Sequence, residues 1–135
     1  MPLPGVSIEI QNGALGQTPA TDDAVVGLLL QGPAVSGGIQ VGVPTQFTSL
    51  AETEAVGLDE AYDTTEEVRV WKHIRDFYAE AGTGAVLWVM LVSQAISMED
   101  MVDVAEANYA KKLLDGASGA IRVLGVTRSP ADGYT

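Results

Sequence analysis

The chain reads as an α/β domain with a mostly parallel or mixed sheet of about four strands, helices packed on it, and an extended N-terminal arm. Three observations predict this class. The run AVLWVMLV at residues 85–92 has no polar residue on either face, which suits a central strand covered by helices on both sides. An amphipathic helix directly precedes it. The last segments of the chain follow in strand–helix–strand order, and such a unit crosses over right-handedly into a parallel sheet.

The elements are justified in turn. Val6, Ser7, Ile8, Glu9 and Ile10 alternate apolar and polar, the period of a half-exposed strand. This strand pairs either within its own domain as an edge strand or with a neighbouring chain. A polar, glycine-containing stretch, residues 11–23, separates it from AVVGLLL at 24–30, a buried strand ended by Gln31-Gly32-Pro33. A glycine-rich excursion, residues 34–44, holds a short candidate strand at 39–43. Thr45 is the expected cap of a short helix that includes Phe47, Leu50 and Ala51. Residues 58–63 read as a connection, with Thr64 or Thr65 capping a long helix to Ala81. On that helix Val68, Trp71, Ile74, Tyr78 and Ala81 recur at helical spacing, opposite Glu67, Lys72, Asp76 and Glu80. Gly82 and Gly84 end it.

After the apolar strand, Ser97-Met98-Glu99-Asp100 opens a further helix with a capping pattern. One face carries Met98, Met101, Val102, Ala105, Tyr109 and Leu113, and Gly116 is its stop. Residues 120–126 (AIRVLGV) form the last strand. The organisation is thus an arm and tether (1–23), an α/β domain (24–128) and a polar tail (129–135). The chain stops just past a strand that looks internal, as a piece of a longer chain would; a natural short tail looks similar.

Composition narrows the function classes. Hydrophobic residues are 47% of the 135, enough for a sizeable core. The formal charge is −11, and no Lys or Arg precedes Arg69. Nucleic-acid binding needs clustered basic residues, and Lys111-Lys112 is too small a cluster. Anionic lipid headgroups repel such a protein, and no apolar run approaches the ~20 residues of a membrane helix. No signal peptide is recognisable at the N-terminus, so synthesis in the cytoplasm is expected. Cysteine is absent, which removes disulfides and thiolate metal sites.

The chemistry-bearing residues are few. His73, the only histidine, lies toward the polar flank of the long helix and reads as a surface residue. Asp22-Asp23 and the group Asp59, Glu60, Asp63 lack the alternate-position spacing of a calcium loop and read as solvated acids. The loop Gly32-Pro33-Ala34-Val35-Ser36-Gly37-Gly38 follows a strand but has neither a Lys-Ser/Thr pair nor dinucleotide-fold glycine spacing. Trp71 and Trp88 are expected in the core. No catalytic group, cofactor site or metal site is expected. One alternative stays open: a small ligand-binding or enzymatic α/β domain using Ser93, Gln94, Thr127 and Arg128 beyond the strand ends.

The order of segments resembles the N-terminal part of contractile tail sheath proteins of bacteriophages and related injection machines. Those proteins open with a Pro-Gly-Val-aromatic-hydrophobic arm; the matching residues are Pro4-Gly5-Val6-Ser7-Ile8, with serine at the aromatic position. A buried strand ending in Gly32-Pro33 follows. Next comes a Pro-x-x-Phe-Thr-Ser-hydrophobic-Ala-Glu segment, here Pro44 to Glu52, and a helix ending Phe77-Tyr78-Ala79-Glu80-Ala81-Gly82 before an apolar strand. The resemblance covers residues 4–93. It implies a subunit, without cofactor, of a helical homo-oligomer around a tail tube protein, located in a virion tail or prophage-derived particle. It also implies that Val6 to Ile10 adds as a strand to a neighbouring subunit, with residues 11–23 as tether. Sheath subunits are typically much longer and carry a C-terminal domain.

Overall fold

The computed structural model describes residues 25–129. The expected arm at Val6 to Ile10, its tether, and the tail beyond Ser129 lie outside the described residues. Within them a mixed sheet of four strands runs in the order β2-β3-β1-β4. β1 (Val26–Gln31), β3 (Leu87–Val92) and β4 (Val123–Val126) are parallel, with Val26 opposite both Leu87 and Val123. β2 (Thr45–Phe47) is antiparallel to β3. The predicted α/β class is therefore observed.

Side chains on the inner strands alternate between two cores, as the two-residue period of a strand requires. Leu30, Leu87, Val89 and Leu91 pack on one face with Phe47, Leu58, Tyr62, Val70, Ile74 and Tyr78. Leu29, Met90 and Val92 pack on the other with Met101, Ala110, Leu113, Ala117 and Ile121. The first face is covered by α1 (Leu50–Ala55), α2 (Glu60–Glu66) and α3 (Val70–Ala81). The second is covered by α4 (Met98–Val102) and α5 (Ala110–Gly116). The connection from β1 to β3 passes over one face. The return from β3 to β4 passes over the other and skips across β1. Reversing both direction and face keeps the same hand for the two crossovers.

Several expectations are corrected. Thr45 caps no helix, because residues 45–47 pair with β3 and bury Phe47. The cap of α1 is Ser49, whose Oγ accepts the Glu52 N–H, while the Glu52 carboxylate reaches back to Thr48 N and Oγ1. The candidate strand at 39–43 reduces to one bridge, Val41 to Leu91, ended by Gly42 at φ 79°. Residues 58–63 are not a plain connection. Asp59 caps α2 by accepting the Tyr62 N–H at 2.8 Å. The long helix divides at Glu67, which takes a left-handed conformation (φ 56°) and ends α2. That turn lets the Asp63 carboxylate accept the N–H groups of Trp71 and Lys72, both at 2.9 Å, so Asp63 caps α3 where Thr64 or Thr65 was expected. Asp59 and Asp63 are thus capping groups rather than merely solvated acids.

The buried stripe of α3 is Val70, Ile74 and Tyr78, at every fourth residue. Trp71 is rotated off it to a half-buried position beneath the Arg75 guanidinium, 5.0 Å from the ring centroid. Gly82 (φ 82°) ends the helix as expected. The helix from Ser97 stops after Val102. Ser97 caps it as read, but the Asp103 carboxylate accepts the Ala105 N–H at 2.8 Å and holds the backbone in a turn. Val102 and Ala105 consequently stay exposed, Met98 in the first turn is exposed as well, and Met101 and Leu113 are buried. The last strand begins at Val123, and β1 lies between it and β3.

Candidate functional site

In an open α/β sheet, ligands bind beyond the carboxyl ends of the strands where neighbouring connections diverge. Here that end is made by β3, β1 and β4 side by side. It is spanned by the chain's own groups. Gln31, the last residue of β1, is fully buried. Its Oε1 accepts the Ser129 N–H at 2.8 Å, and its Nε2 donates to the Ile96 carbonyl at 2.6 Å. Gln94 Nε2 donates to the Ser129 carbonyl at 2.9 Å. Both main-chain groups of Ser129 are therefore engaged by glutamines from the ends of β1 and the loop after β3.

Ser93, Gln94, Thr127 and Arg128 do surround this end of the sheet. Ser93 Oγ accepts the Ala95 N–H, and Thr127 N donates to the Leu29 carbonyl, continuing the β4 ladder. Gln94 binds backbone. Gln31 was missed as a site-forming residue because it reads as the polar end of an apolar strand. The available signal was an amide side chain abutting a wholly apolar run just before Gly-Pro, where burial obliges it to find partners.

Near the loop after β1 lies an open depression of ≈ 320 Å³, bordered by Val35, Ser36, Asp59, Tyr62 and Glu66. Its acids disfavour phosphate, and Asp59 is committed to α2. Tyr62 Oη donates to the Pro33 carbonyl at 2.6 Å. Burial, with Glu66 and Asp63 nearby, pushes the Tyr62 phenol well above its ordinary range. It stays protonated and serves as a strut. Burial, followed by Glu52, likewise raises Tyr78 to about 12, and its hydroxyl donates to the Ala85 carbonyl. His73 is half-buried, and burial together with Lys72 lowers its pKa. Among the described residues, no group of three His, Cys, Asp or Glu side chains is placed to hold a metal ion. No helix among them is long and apolar enough to cross a membrane.

The sheet edges are different in character. Among the described residues β4 pairs with β1 alone, and Val123 at its start is 60% exposed. Beside it Val102, Val104, Ala110, Leu114 and Leu124 line an apolar groove of ≈ 380 Å³. On the opposite edge, beyond β3, Val41 and Val43 are exposed next to the short strand β2. Isolated apolar side chains on a surface are ordinary, but these gather at the two sheet margins.

No curated protein and no solved structure is significantly similar to the chain. The family model described as DUF2586, N-terminal domain, matches residues 3–131, and the chain belongs to that family.

Proposed function

We propose that the chain is a structural subunit of a contractile, phage-tail-like sheath that self-assembles by strand exchange around a tail tube. The observation that carries this reading is the margin of β4, which among the described residues pairs with β1 alone and is flanked by exposed apolar residues. An edge of that kind accepts a further strand through main-chain hydrogen bonds, with pockets for alternate side chains. The alternating segment Val6 to Ile10 supplies such a strand, and the order of motifs from Pro4 to Val92 resembles that of sheath proteins. Partners on this reading are neighbouring copies and a tail tube protein, in a virion tail or prophage-derived particle. The glutamine network at the strand ends also supports it, since the usual ligand position is occupied by structural contacts.

The test is deletion of residues 1–20, followed by light scattering and negative-stain microscopy beside the intact chain. Rings or tubes from the intact chain, lost in a truncated form whose circular dichroism and melting temperature are unchanged, support the reading. A truncated form that assembles like the intact chain, or one that fails to fold, overturns the arm's role.

A further inference from the structure

The two apolar margins of the sheet lie on opposite flanks of α5. Gly116 packs its Cα side against Pro44, and Lys112 Nζ lies 3.6 Å from where a Cβ on Gly42 would stand. Lys112 and Gly116, one helical turn apart, therefore face the loop that carries Val41 and Val43. Ala110, Leu114 and Asp115 border the groove on the β4 side. Val43 is 49% exposed on the first margin, and Val104 is 85% exposed on the second.

We infer that the margins are complementary halves of one head-to-tail contact, with the Val41/Val43 margin of one copy seated in the Val102/Val104/Leu124 groove of the next. A second copy is the occupant because the charges match. The first margin carries Lys112, and the groove is rimmed by Asp103 and Asp115 against the single Lys111. Each copy has a net charge of −11, so two copies meet most readily where a lysine of one can face carboxylates of the other. Because the two halves differ and lie on opposite edges, the contact does not close on itself as a two-fold dimer does. It propagates into a ring or a helical filament. The inference rests on the self-assembly reading above and adds to it a second contact that acts together with the N-terminal segment, neither sufficing alone for rings or tubes.

The test uses the intact chain with Val43→Asp or Val104→Asp, both at exposed positions, in sedimentation velocity across a wide concentration range. The wild type should give an open series of oligomers. Each variant alone should lose association at least tenfold while keeping its melting temperature. An equimolar mixture should recover association that neither variant shows alone, because one intact half survives on each variant. Lys112→Glu should weaken association, and pairing it with Asp115→Lys should restore it. Wild-type polymers from both single variants would assign these margins to another occupant and overturn the inference. If those same polymers vanish on deletion of residues 1–20, the strand-exchange reading stands while this one fails. A wild type that remains monomeric at every concentration overturns both.

Discussion

Replacing Gln31 with methionine removes its hydrogen bonds while nearly conserving its volume, so little cavity is added. Two backbone groups then lose their partners, the buried Ser129 N–H and the partly buried Ile96 carbonyl. An orphaned buried group costs about 1–3 kcal/mol. Ser129 should pay most of that range, and Ile96 about 1 kcal/mol, since water can reach it in part. The thioether recovers about 1 kcal/mol through apolar burial. The net expectation is a loss of about 2 kcal/mol. Urea denaturation should show a midpoint lower by roughly 1 M with an unchanged slope. Hydrogen exchange adds an independent readout, because the Ser129 amide should lose more protection in the variant than the β3 amides, whose loss follows the global change alone. A variant within about 0.5 kcal/mol of wild type would refute the assignment of Gln31 as the residue that ties β1 to the end of β4.

Asp63→Ala should destabilise the domain by about 1–2 kcal/mol, measurable as a lower melting temperature, because the first turn of α3 loses its acceptor. Asp63→Asn, which keeps one acceptor oxygen, should lose less. Acid sensitivity should involve His73, whose folded pKa lies below its ordinary 6.5 through burial and the neighbouring Lys72. Below 6.5 the unfolded chain takes up a proton that the folded one resists, so stability is lost as pH falls through that interval. His73→Gln should flatten the pH dependence of unfolding between about pH 7 and 5. Asp63 acts in the opposite sense: burial raises its carboxyl above 3.8, so this group adds stability as pH falls toward that value.

The sheet and its two coverings were legible in the residues themselves. A strand apolar on both faces can satisfy its side chains only between two layers, and Leu87–Val92 does so. Gly82 and Ser97 marked their helix ends correctly, because backbone conformation and capping depend on near neighbours. What the chain alone did not disclose were outcomes of competition between local and distant partners. Thr45 was the expected cap, but pairing of residues 45–47 with β3 moved the helix start to Ser49. Asp63 was legible as an acid, but its capping of α3 required Glu67 to turn left-handed and bring two helices together. Asp103 preferred a local turn to helix continuation, and that choice left Val102 and Val104 exposed beside β4. Gln31 was marked only as an amide abutting an apolar run, and its partners were not legible, since an amide has no fixed partner until the fold supplies one. Sequence determined which residues must be buried and where helices could begin. The tertiary structure decided which of several equivalent polar groups met, because only three-dimensional proximity distinguishes donors and acceptors that are chemically alike.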